Sequence, residues 1–136
     1  MLRGVKERSM IPAPLIARLE SNASVLASQK SFNNDIGVPL TLLQLTASDQ
    51  YAVIEMGANH EGEIAQLTQI VKPTIAIITC AAAAHLSGFS DVNGVSRAKG
   101  EIFQELSPRG VAVINVDDPF SDYWKTLAIN HRIITF

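Results

Sequence analysis

One cysteine, Cys80, is all that the 136-residue chain contains, so no internal disulfide can form. Its place in an apolar run suits a reducing compartment, and the cytoplasm is the expected location. Aromatic residues make up only 6% of the chain and the formal net charge is -2. Neither a basic field nor a stacking surface is available, which argues against nucleic acid as a partner. The longest apolar run, residues 74–84, is too short to span a bilayer, so no membrane association is expected. The opening residues weakly imitate a signal peptide, but Pro12 and Pro14 interrupt the apolar part and Arg18 and Glu20 follow at once. No internal repeat, low-complexity segment or linker occurs. A phosphate loop of the form G-x-x-x-x-G-K-[ST] is also missing from the 136 residues.

With 47% of residues hydrophobic and 18% charged, the chain can bury one modest core, and one domain is expected. Four β-branched runs, at 52–54, 74–79, 111–114 and 132–136, read as strands. Between them the spacing of Ile64, Leu67, Ile70 and Val71, and of Val95, Ala98, Ile102, Phe103 and Leu106, has the helical period. A third helix is predicted over 36–45, capped by Asn34 or Asp35 with Pro39 in its first turn, and a fourth over 119–128. Alternating strands and helices with short connections predict an α/β fold, a mainly parallel sheet flanked by helices. Ile75-Ala76-Ile77-Ile78 lacks polar alternation, the pattern of a strand covered on both faces. The first 30 residues are the least regular, although 15–19 suit a short helix.

In open α/β sheets ligands bind outside the carboxyl ends of the strands. Three strand ends carry polar groups: Glu55 after the first, His85 after the second, and Asn115, Asp117 and Asp118 after the third. A shared edge would gather them. A magnesium ion needs only one or two carboxylates besides substrate phosphates, so Glu55 suits a metal site, though it would equally cap the next helix or pair with a lysine. His85 follows four alanines; it reads either as a satisfied structural histidine or as a metal or acid-base group. Lys99, beside the apolar positions Ala98 and Ile102, reads either as a snorkelling side chain or as a cation or modified amine near a metal. Asn33, Asn34 and Asp35 precede a helix whose free amides can bind an anion. Capping accounts for one of the three and leaves Asn33 or Asn34 for a substrate contact.

Four segments carry a resemblance: Phe32-Asn33-Asn34-Asp35-Ile36-Gly37-Val38-Pro39, Ala52-Val53-Ile54-Glu55-Met56-Gly57-Ala58-Asn59-His60, Ala83-Ala84-His85-Leu86 and Ala98-Lys99-Gly100-Glu101-Ile102-Phe103. Their order and spacing resemble those of the Mur ligases, nearest the branch that adds D-alanyl-D-alanine, over residues 22–136. The resemblance implies a P-loop NTPase-like central domain, here incomplete, with residues 1–21 an irregular remnant of the helix region after the phosphate loop. It implies ATP and magnesium as cofactors, with Glu55 and His85 as metal ligands and Lys99 as a lysine that family members carbamylate. Asn33 and Asn34 would face the substrate, and Asn115 and Asp117 would contribute cofactor contacts. The implied partners are UDP-N-acetylmuramoyl-tripeptide and D-alanyl-D-alanine, joined through an acyl phosphate in peptidoglycan precursor synthesis.

The chain departs from the family where Met1-Leu2-Arg3-Gly4 stands in place of the phosphate loop and where Cys80 replaces a frequent asparagine. The family's enzymes also carry a UDP-substrate domain before this region and further segments after it. The expectation is therefore a fragment that is inactive by itself. Competing readings are a non-catalytic remnant or protein-binding module, self-associating through an unfinished sheet edge, and another ligase of the superfamily such as a folylpolyglutamate synthase.

Overall fold

The computed structural model describes residues 13–29, 32–82, 88–89 and 91–136. They fall into two compact units divided between Glu55 and Met56. His85, with its neighbours Ala83, Ala84, Leu86 and Ser87, lies outside the described residues, as do Ser31 and the opening Met1-Leu2-Arg3-Gly4.

In the first unit α1 (Ala13–Glu20) leads to β1 (Val25–Ala27), α2 (Gly37–Leu42) and β2 (Tyr51–Val53). The two strands pair in parallel, Val25 beside Tyr51 and Ala27 beside Val53. No strand is predicted at β1, because three residues between Ser24 and Ser28 are too few to show a period. Asn34 supplies the predicted cap of α2, its Oδ1 accepting the Gly37 N–H at 2.8 Å. Pro39 occupies the first turn, where a missing N–H costs nothing.

The second unit runs α3 (Glu63–Val71), β3 (Ile75–Ile78), α4 (Val92–Gly100), a 3₁₀ turn (Glu101–Phe103), β4 (Val111–Ile114), α5 (Ser121–Leu127) and β5 (Arg132–Thr135). The strands lie in the order β3-β4-β5, all parallel, so two successive strand-helix-strand units build the sheet. The parallel pairing and the flanking helices agree with expectation. The described strands form two ladders, β1-β2 in the first unit and β3-β4-β5 in the second.

Register explains the core. Ala76 lies beside Ala112 and Ile78 beside Ile114, on one face of the sheet. Against that face lie Phe103, Leu106, Trp124 and Ala128, all buried. Two alanines in the strands leave room for the Trp124 side chain, which is wholly buried and donates its indole N–H to the Ser96 carbonyl at 2.9 Å. The opposite face corrects an expectation: Ile75 is 59% and Ile77 36% exposed, so among the described residues β3 is covered on one face. The side chains that fill the core all arrive on the Ala76 side. The predicted helix reaching Leu106 also ends early, at Gly100, and tightens into the 3₁₀ turn.

Candidate functional site

In the first unit the site residues meet at the end of β2. The backbone of β1 continues to Ser28, whose Oγ accepts the Glu55 N–H at 3.0 Å. Asn33 donates from Nδ2 to Glu55 Oε1 at 3.4 Å. Ser28 thus fixes the Glu55 backbone, and Asn33 orients its carboxylate in this half-buried residue. The neighbouring asparagines do different work: Asn33 holds the acid and Asn34 caps α2.

In the second unit the residues leaving the strand ends are tied by side chains. Asn115 donates from Nδ2 to the Thr79 carbonyl at 2.9 Å and accepts the Asp117 N–H at 3.0 Å. Buried Asp118 accepts the Ala81 N–H at 2.7 Å and the Phe120 N–H at 2.9 Å. Asn115 and Asp118 therefore hold the ends of β3 and β4 together, while Asp117 stays exposed. Sequence reasoning gave Asp118 no such role; its position before Pro119 signals a local turn but not the bond to Ala81.

A second small cluster joins the motifs. Phe89, Val95 and Ala98 are buried against Ala58 and Ala81, which brings the segment after β2, the end of β3 and α4 to one place. Gly88 touches the same region, since a methyl group there would collide with the Asn59 carbonyl oxygen. Lys99 follows Ala98 in the last turn of α4 and is half-buried. Beyond it Glu101, half-buried, accepts backbone N–H groups from Gly62 and Ala65. Nothing in the spacing of the sequence assigned it this part, although it stands inside the Ala98–Phe103 motif.

Glu63 accepts the Asn59 N–H at 2.7 Å and meets His60 Nδ1 at 3.0 Å. These bonds, that from Asn59 first, hold its carboxyl below the ordinary range. The pocket beside the end of α4, lined by Arg97, Gly100, Glu101 and Tyr123 among others, holds about 140 Å³. That is small beside the ~300 Å³ or more of typical ligand clefts. Among the described residues no group of three or more His, Cys, Asp or Glu is placed to hold a metal ion. No helix among them is long and apolar enough to cross a membrane.

The sequence matches the Mur ligase middle domain over residues 8–136. The UDP-N-acetylmuramoyl-tripeptide--D-alanyl-D-alanine ligase of Haemophilus influenzae is 50% identical over 113 residues, 83% of this chain and 25% of that protein. The ligase of the same name from Escherichia coli is 40% identical over 135 residues, 99% of this chain and 30% of that protein. A crystal structure of MurF from Acinetobacter baumannii superposes with a TM-score of 0.84 at 42% identity, covering 87% of this chain and 26% of that one. MurF ligase from Thermotoga maritima in complex with ADP superposes with a TM-score of 0.76 at 29% identity, covering 87% and 27%. The chain thus spans 25% to 30% of the length of these two sequence relatives. By the match over almost its whole length, the chain belongs to the Mur ligase middle-domain family.

Proposed function

We propose that the chain supplies the middle-domain part of an ATP-dependent, cytoplasmic ligase that joins D-alanyl-D-alanine to UDP-N-acetylmuramoyl-tripeptide in peptidoglycan precursor synthesis. The observation that carries this reading is its 50% identity, over 113 residues, to a ligase of that name. In the reaction, the terminal carboxylate of the tripeptide attacks the γ-phosphorus of ATP and ADP leaves. The dipeptide amine then attacks the acyl carbon, inorganic phosphate leaves and the nitrogen gives up a proton.

The donor chemistry fits magnesium. Glu55 offers carboxylate oxygens, the hard ligands that this ion prefers; Asn33 already orients that group and Ser28 fixes the Glu55 backbone. Glu55 and His85 would hold the ion, and Lys99, as a carbamate, would add carboxylate-like oxygens. An ion held by these residues would supply charge neutralisation for the transferring phosphoryl group. Asn33 keeps the Glu55 carboxylate aimed, and Asn34 offers its amide to the substrate side while its carbonyl caps α2. At the end of β4 the Asn115 side chain is engaged with Thr79, so exposed Asp117 is the better placed of the two for a cofactor contact.

A binding module of the same fold is the competing reading. Replacing the matched segment of the Escherichia coli ligase with this chain separates the two, because the host retains everything that flanks the segment. The ligase reading expects the amide product from the tripeptide precursor and D-alanyl-D-alanine, seen by mass, and no glutamate addition to a folate. A folded replacement protein that makes no product supports the binding module.

A further inference from the structure

Helix α3 has no cap of its own. Gly62, the residue before it, sits at a φ of 92°, in the left-handed region, and has no side chain to accept an amide. The amides at this helix start are taken by a residue from beyond α4. The Gly62 N–H donates to Glu101 Oε1 at 2.6 Å and the Ala65 N–H to Glu101 Oε2 at 3.0 Å. A carboxylate is the favoured group at this positive end of a helix dipole. Glu63, in the first turn, is directed elsewhere, to Asn59 and His60.

Arg97 binds the same segment, with Nε and Nη2 at 3.0 and 2.7 Å from Glu61 Oε1. That pair is exposed on both sides, where solvent screening leaves an ion pair little to contribute. Glu101 is half-buried and satisfies two backbone donors, so the coupling rests mainly on it. The stretch between Arg97 and Glu101 carries Lys99, whose neighbours Ala98 and Gly100 are both buried. One carboxylate therefore connects two motifs of the sequence: the segment 56–62, which follows Glu55, and the end of α4.

We propose that Glu101 is a positioning residue: by capping α3 from the end of α4, it holds segment 56–62 and Lys99 in one frame. The proposal rests on the reading of Lys99 as a carbamylated group of the site. It is tested on the full chain by NMR, with amide hydrogen exchange and, in ¹³C-bicarbonate, the carbamate signal of Lys99. The parent is compared with Glu101→Ala and Glu101→Gln.

In Glu101→Ala, exchange at Gly62 and Ala65 is expected to rise at least about tenfold while the β4 amides stay protected, and the carbamate signal to fall severalfold. Glu101→Gln keeps one acceptor of the two, and both readouts are expected between the extremes. Parent-like exchange at Gly62 and Ala65 in Glu101→Ala overturns the proposal. So does faster exchange there with an undiminished carbamate signal, which would make Glu101 a structural cap only. Either result leaves the reading of Lys99 standing. A parent chain with no carbamate signal overturns that reading and the proposal with it.

Discussion

Single residues in this chain divide into those that hold the frame and those available to chemistry, and neighbours in sequence often fall on opposite sides. Asn34 caps α2 through Gly37 while Asn33 reaches Glu55. Asn34→Ala is expected to lower stability by about 1 kcal/mol in denaturant unfolding, the usual cost of a lost cap. Asn33→Ala removes a long bond at 3.4 Å and should leave stability near the parent's, with its effect confined to ligation. Asp117 and Asp118 divide in the same way. Asp118 is buried with two backbone amides on its carboxylate, so Asp118→Ala is expected to cost ~1–3 kcal/mol, whereas Asp117→Ala falls within ~0.5 kcal/mol. The sequence shows the three acids and amides between Asn115 and Asp118 only as a polar strand end. Which of them turns inward depends on Thr79 and Ala81, which are 36 and 37 positions from their partners.

At the scale of elements, hydropathy reveals what has a long enough period. Strands β2 to β5 and helices α2 to α5 are visible in the sequence, with ends displaced by a few residues. Strand β1 is not, because its pairing with β2 is what makes three ordinary residues a strand. The exposed face of β3 is not legible either: an apolar run shows that a strand can be covered twice, not that it is. Small residues mark the face that is covered. Ala112 is fully buried in the cluster with Trp124, and Ala112→Leu is expected to destabilise by ~1–3 kcal/mol through overpacking. Ile75→Thr on the open face should change stability by no more than ~0.5 kcal/mol.

Helix α4 begins at Asp91, whose carboxylate accepts from Asn93 and from the Gly94 N–H. These bonds, the one from Asn93 first, hold the Asp91 carboxyl below its usual range. A depressed folded-state value means that the cap's contribution is complete above the ordinary carboxylate range and is lost as pH falls through the depressed value. Protection of the Gly94 amide, its exchange corrected for the intrinsic pH dependence, is therefore expected to fall as pH drops below the ordinary carboxylate range. In Asp91→Asn, which caps without titrating, the acid dependence should disappear.

For the whole molecule, the order of motifs carried more than any single motif did. Glu55, His85 and Lys99 each admit a bland structural reading, and only their succession with the Asn33-Asn34 loop points to one family. The match over residues 8–136 establishes that family. What the sequence could not display is the network between motifs, since Glu101 reaches back 36 and 39 positions to its amide donors. The boundary between the two compact units falls between Glu55 and Met56, within one motif.

The most direct measurement is the ligation rate of the Escherichia coli ligase carrying this chain in place of its matched segment, compared with the same protein bearing Lys99→Arg. Arginine keeps the positive charge and cannot form the proposed carbamate. The account predicts product from the unaltered replacement protein and a loss on the order of 10²–10³ in kcat for Lys99→Arg, the scale of removing one group that stabilises transition-state charge. A replacement protein that ligates equally well with arginine at position 99 would contradict the assignment of that lysine to the reaction.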